Sequence, residues 1–450
     1  MVAYGYATLL DAITALAARL SDPGLQFWTA VELATDICEA LRTFNAMTSF
    51  WRDEFVFDLQ SNTSWYDLTA QTNSIRPLTV TDNDLTTQIE HHLLEPPTTA
   101  YPLTWAGSLQ FSIGDILGAI QRRRDETLAV TGCQLTRSLV AATPGRIILP
   151  DSVIDIRRVA WFPASGQSYY NSPLSPSDLQ AKKFFDPGWT TATQSPPQCY
   201  MRSAEPPLSF DVDRVPPVPG QYETITVNAA TALSSAGASV LGIPDDWSWV
   251  VKFGALSDLF GRESVAKDST RAEYCAKRYA HGLTVLTNAA ALLGIRLSNV
   301  PLDIDSARNA DYFNPAWQAF AGVPTRAYVM GLNLVAFSPQ PNSSTAYSVT
   351  AHVVQNAPVP VNQGDPIQLS REDFDAVLDY SQHLAVLKVG GAEFAMTMPL
   401  LDRFMKRAVV YNSKLAAMGE LQRAMYETSQ LESERNPRYS SAVAPEGANA

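Results

Sequence analysis

Pro197-Gln198-Cys199-Tyr200, an apolar run at Leu208-Ser209-Phe210, turn prolines Pro217 and Pro219, and a resumption from Tyr222 to Val227 describe a hairpin with a returning strand. The same order recurs downstream as Pro324-Thr325-Arg326-Ala327-Tyr328, Leu334-Val335-Ala336-Phe337, Pro339 with Pro341, and Tyr347 to Val354. Proline removes a ladder donor and fixes φ, so it marks where each strand must turn. Each hairpin is followed by an acidic helix start with an aromatic just behind it. These are Ile243-Pro244-Asp245-Asp246-Trp247 and Leu369-Ser370-Arg371-Glu372-Asp373-Phe374, with negative charge where the helix dipole favours it. Val250-Val251-Lys252-Phe253 then matches Val377-Leu378-Asp379-Tyr380, and Ala276-Lys277-Arg278 matches Met405-Lys406-Arg407. Matched positions lie about 125 residues apart, the mark of an internal duplication.

Upstream of this pair the periodicity is helical. Tyr6, Leu9, Leu10, Ile13, Leu16, Ala17 and Leu20 share a face, and Ser21-Asp22-Pro23-Gly24 ends that helix. Thr29 with Glu32 reads as a capping box for a second helix, with Ala30, Ala34, Ile37, Cys38, Leu41 and Phe44 as its buried stripe. The period then switches to two. Phe55, Phe57 and Leu59 alternate with Glu54, Val56 and Asp58, and Trp65 to Leu68 reads as the strand returning in a hairpin over 50–68. Asp82 is expected to cap a helix ended by Pro96-Pro97. A longer helix is expected from Ser112 to Val130, with Gly132 as its stop. Strands are expected at Ile147–Leu149 and Val153–Phe162.

Near the C-terminus Leu401, Phe404, Ala408, Tyr411, Leu415, Met418 and Met425 recur at alternating three and four, with Gln422 filling the one missing position. That is a heptad seam suited to packing along another helix. From Glu434 to Ala450 the chain is polar and rich in small residues, a composition expected to be disordered when free. The expected fold class is α+β: an N-terminal helical bundle with a β-hairpin, a duplicated β-hairpin plus helix-pair module, and a long C-terminal helix. The expected divisions are 1–145, 146–320, 321–430 and a flexible tail at 431–450.

Composition narrows the function. Only 17% of the 450 residues are charged, against about 25% in an average soluble domain, which points to surfaces covered by partners. A net charge of −12 and a pI near 4.9 argue against clamping phosphates. Cys38, Cys133, Cys199 and Cys275 are too scattered for a disulfide framework or a zinc site. The most apolar stretch, Leu283 to Leu297, is interrupted by Thr287, Asn288 and Arg296, so no membrane span is expected. Asp11 and Arg19 likewise break the first apolar stretch, against a signal peptide.

No nucleophile elbow, phosphate loop, dinucleotide fingerprint or zinc-protease motif occurs. His91-His92 is expected on a solvated helix face, because adjacent helical positions diverge. Asp303-Ile304-Asp305 reads as surface carboxylates on a strand or turn. Arg122-Arg123-Arg124, followed by Asp125-Glu126, reads as a solvated or inter-subunit salt-bridging face. No catalytic, metal or cofactor site is expected.

With these residues in view, the chain resembles the head-to-tail adaptor, or connector, proteins of tailed bacteriophages. The resemblance is carried by Asp22-Pro23, Phe27-Trp28-Thr29, Glu32-Leu33, Glu39-Ala40-Leu41-Arg42, Trp51-Arg52 and Trp65-Tyr66-Asp67-Leu68. The repeated hairpins and Ile243-Pro244-Asp245-Asp246 carry it further. It implies a non-enzymatic virion protein, made in the host cytoplasm and placed at the head-tail junction. Its partners would be the portal and tail or neck proteins, in a homo-oligomeric ring of twelve through which DNA passes without specific binding. Leu401, Phe404, Tyr411, Leu415, Met418, Met425 and Arg122, Arg123 and Arg124 are the expected oligomer or portal contacts. Two other readings compete. One is a tail or baseplate component with a ligand-binding β module around Tyr169-Tyr170 and Trp189; the other is an enzyme built on Asp303 and Asp305.

Overall fold

The computed structural model describes residues 5–71, 73–94, 99–100, 103–104, 110–142, 145–164, 171–189, 194–203, 208–229, 238–263, 267–342 and 347–412. Helices α1 (Leu9–Arg19) and α2 (Ala30–Thr48) lead into strands β1 (Arg52–Leu59) and β2 (Trp65–Asp67). Helix α3 (Asp82–Leu93), the short strands β3 (Thr99–Ala100) and β4 (Leu103–Thr104), and helix α4 (Ile113–Thr131) follow. Next come β5 (Thr136–Ala141), β6 (Ile147–Ile148), β7 (Val153–Pro163), β8 (Ser172–Ser177) and α5 (Leu179–Phe185). Strands β9 (Cys199–Ser203), β10 (Ser209–Val212) and β11 (Gly220–Asn228) precede α6 (Ser248–Gly261) and α7 (Ser269–Thr287). The chain continues through β12 (Leu292–Leu297), β13 (Val300–Pro301), β14 (Asp303–Ser306) and α8 (Ala307–Phe313). Strands β15 (Ala321–Gly322), β16 (Arg326–Met330), β17 (Leu334–Ser338), β18 (Gln340–Pro341) and β19 (Tyr347–Val354) precede α9 (Arg371–Leu387), α10 (Gly391–Met396) and a final helix at 398–412. The fold is α+β, as expected.

Capping sets the helix starts. Thr8, Thr81 and Ser112 each exchange hydrogen bonds with an aspartate three residues on: Asp11, Asp84 and Asp115. Thr81, rather than Asp82, therefore caps α3. Gly132 ends α4 at a φ of +59°, the left-handed conformation in which glycine has no Cβ to clash. Thr29 accepts from the Glu32 N–H at 3.2 Å, but the Glu32 carboxylate turns to Lys388 instead of closing the box. On α2, Ile37, Leu41 and Phe44 are buried, while Ala30, Ala34 and Cys38 are only partly covered and Leu33 and Ala40 fill the core. On α1, Tyr6 and Leu10 stand exposed and Ala12 is buried.

Residues 136–228 supply a seven-stranded sheet in the order β5-β11-β7-β8-β9-β10-β6, antiparallel except for β8 beside β9. This inner array is a contiguous piece of chain. An outer array is drawn from both sides of it, as sheets ordered β1-β19-β12-β13 and β14-β16-β17-β2. These two sheets are antiparallel except for β14 beside β16. Laid end to end, β1, β19, β12, β14, β16, β17 and β2 repeat the inner order, with the parallel pair at the same step. The Leu302 N–H donates to the Ile295 carbonyl at 3.0 Å across the step where the outer array divides into two sheets.

The hairpins expected to turn at Pro217 with Pro219 and at Pro339 with Pro341 do not form: β10 pairs with β9 and β17 with β16, while β11 and β19 cross to the far side of their arrays. The expected hairpin over 50–68 does not form. β1 pairs along its whole length with β19, from Arg52↔Val354 to Leu59↔Tyr347, and β2 pairs with β17. The reason is the apolar face. Phe55, Phe57 and Leu59 on one sheet and Tyr66, Val335 and Phe337 on the other bury against one another, so residues 60–64 carry the chain from sheet to sheet. A second β core lies behind the inner array at Val159, Trp161, Phe210 and Tyr222. Helices from both halves of the chain share the largest core.

Helices α6 and α7 approach closely at Gly282, where an added Cβ would lie 2.7 Å from Val250 Cγ2 and 3.0 Å from the Trp249 ring. Gly282→Ala should therefore lower stability by about 1–3 kcal/mol through overpacking. Gly118→Ala, with open space at its Cβ, should be neutral or stabilising. Urea unfolding midpoints of the two variants test the pair.

Candidate functional site

A group of charged side chains is buried where helices of the two halves meet. Lys252 of α6 is fully buried and donates to Glu39 of α2, with its Nζ 3.2 Å from Nε2 of His92 on α3. Lys388 reaches Glu32 at 2.8 Å and the Phe27 carbonyl at 2.8 Å. Burial pushes the Asp36 carboxyl, one turn before Glu39, well above its usual range. Burial and then the neighbouring Lys252 hold His92 well below its usual value, so it is neutral at physiological pH. The solvated face expected for His91-His92 is therefore corrected. Leu85, Ile89 and His92 lie on one side of α3, and that side packs inward. Among the described residues, no three metal-capable side chains converge.

A second cluster joins the arrays. Arg158 on β7 donates to Asp311 of α8 at 2.6 Å, to Glu223 of β11 at 2.6 Å and to Gln318 at 2.7 Å. The Trp65 indole N–H donates to Glu223 at 3.1 Å and the Trp317 indole N–H to Asp311 at 2.9 Å. The guanidinium lies over both indole rings, at 5.8 and 5.7 Å. Beside it, an open cleft is lined by Arg157, Arg202, Tyr200, Arg308 and Tyr312. Nothing in the sequence flagged Arg158 or Glu223 except a charged residue at an inward strand position, a weak signal.

The expected contact residues are placed as follows. Arg122 and Arg123 both donate to Asp258 of α6, and fully buried Arg124 donates to Asp125. Their charge is thus engaged within the chain, which corrects the solvated reading for Arg124. Phe404 is fully buried, stacked at 4.5 Å on Tyr380 and 6.2 Å from Phe44. Leu401 and Tyr411 are half-buried, and Tyr411 packs on Phe50 of its own chain. The described part of the seam is therefore held by the chain itself, because α2 and α9 present aromatic rings to it. Leu415, Met418, Met425 and the tail at 431–450 lie outside the described residues, as do Tyr169 and Tyr170. Asp303 and Asp305 are exposed, and Asp305 accepts from Asn309 at 2.8 Å, the surface role expected of it.

Comparison with known proteins points to a phage adaptor-type protein. The matching family model is that of the SU10 adaptor protein, over residues 83–302. That span opens in α3 and takes in the inner array with α6 and α7. It includes Ile243-Pro244-Asp245-Asp246 but not the stretch from Asp22 to Leu68. No curated protein matches the chain. No helix among the described residues is long and apolar enough to cross a membrane.

Two predictions concern the buried charges. Lys252→Met strands Glu39 without its partner and should cost about 3–5 kcal/mol, whereas Lys252→Met with Glu39→Leu should recover most of that loss. Denaturation curves of single and double variants decide it. Burial lifts the Asp246 carboxyl to about 6, opposed by the Ala357 N–H and the Asn45 amide. The folded chain then keeps a proton that the unfolded chain has released, so this group's stabilising share is full below 3.8 and lost as pH rises through about 6. Asp246→Asn should flatten the stability change between about pH 4 and about pH 7. An unaltered slope would place the effect elsewhere.

Proposed function

We propose that this chain is a structural virion protein of a tailed phage that forms a ring joining the portal to the tail and lets DNA pass. The observation that carries the reading is the adaptor-family match, which spans a complete helix–sheet–helix unit rather than a fragment of one. Twelve-fold symmetry comes from the resemblance alone. The net charge of −12 supports a lumen that repels phosphates, so that DNA slides without sticking. Low surface charge suits faces that are covered on assembly.

Peptide mass spectrometry of density-purified particles tests the reading, with abundance scaled to the capsid protein. A ring complement of about a dozen copies is the expected result, and absence from particles would sink the proposal. The seam positions beyond residue 412 are the proposed portal or neighbour contacts. Phe404 is core, so the docking variant is Leu415→Asp with Met418→Asp. It should remain soluble and folded yet be missing from particles; normal incorporation would remove those positions from the interface.

A further inference from the structure

The outer array grips the inner array in one direction only. On the inner sheet, Arg158, Glu223, Ile225 and Arg137 share one face, and that face receives Asp311, Gln318 and Trp65 from the outer array. Trp317 is fully buried there.

Strand register and chain order give several of these groups a counterpart. Ile225 of β11 lies between Arg158 and Arg137, and Thr350 of β19 lies between Arg296 and Val56. Helices α5 and α8 are each seven residues long, capped by Asp178 and Ser306. They run into Asp186-Pro187-Gly188-Trp189 and Asn314-Pro315-Ala316-Trp317 respectively. Trp189 thus answers to Trp317, and Lys183 to Asp311.

The counterparts are unused within the chain. The Arg296 side chain is exposed, with no hydrogen bond or ion pair among the described residues, whereas that of Arg158 makes several. Val56 is 48% exposed, Lys183 is exposed and Trp189 is only half-buried. A heterologous contact made once leaves one face of each kind open, and such contacts repeat head to tail, closing into a ring when the rotation per copy divides the circle.

We propose that the open face of β1, β19 and β12 seats the Trp189 end of a second copy of this chain. The contact that joins the two arrays within a chain is thereby repeated between chains. By the same register Lys183 arrives beside Arg296, so its acidic partners are Glu54 and Asp58, exposed on either side of Val56 on the outward face of β1, rather than a copy of the Arg158–Asp311 pair. The inference deepens the adaptor reading and rests on it only for the closing of the ring.

Full-length Lys183→Cys and Val56→Cys chains test it, both at exposed positions. A short bismaleimide added to a concentrated equal mixture should give a covalent dimer well above the background of the unsubstituted chain. Each variant alone should stay at that background, and a chain carrying both substitutions should give a ladder. Dimers from either single variant alone, or a mixture at background, overturn the proposal. Copy number in particles judges the adaptor reading separately. A ring complement without the cross-link discards this face and keeps the adaptor. The cross-link with the chain absent from particles keeps the face and discards the adaptor.

Discussion

Strand β19 has β1 on one edge and β12 on the other, and those two neighbours come from opposite sides of the inner array. Its backbone groups are paired on both edges only when residues 52–59 and 292–297 arrive together. An open edge there would leave a row of unpaired donors and acceptors beside an apolar face. The ladder therefore fixes where the two ends of the chain must lie. Once it is made, α1 and α2 are held against α9, and helices from both halves close over one core. The inner array imposes no such demand, since all seven of its strands come from one contiguous segment.

The junction that results is polar where it could have been oily. Lys252 with Glu39 and Arg158 with Asp311 bridge it, and Glu223 is buried beside Arg158. Buried ion pairs contribute little net stability compared with well-packed apolar residues. They do penalise any other placement of the halves, because a shifted register would strand a charge in the interior. Two arrays of matching strand order could stack in several ways. Directional hydrogen bonds from the Trp65 indole, the Gln318 amide and the Arg158 guanidinium select one of them.

Local chemistry was legible in the sequence. Prolines marked where β10 and β17 stop, capping residues announced α2 and α4, and alternation announced β1 with the correct face inward. Partnership was not legible. The period-two pattern shows which side of β1 is buried but carries nothing about whether its neighbour is β2 or a strand near residue 350. The same limit misplaced His92 and Phe404: each sits on a short helical stretch whose inward side is decided by distant helices. Arg158 and Glu223 escaped notice because a charged residue in a strand reads as solvent-facing until the second array covers it.

The enclosure of one array by strands of the other has a consequence during synthesis. Leu59 pairs with Tyr347, so β1 leaves the ribosome with its partner still 288 residues away from being made. At about 5–20 residues per second that interval lasts roughly 15–60 s. The inner segment is complete well before it ends and can collapse on its own strands. Phe55, Phe57 and Leu59 wait throughout on an open edge, so the nascent chain passes through a stage with a finished middle and an adhesive beginning. Translation speed across the second half of the message then governs how long that edge is offered to other chains, and with it the yield of folded protein.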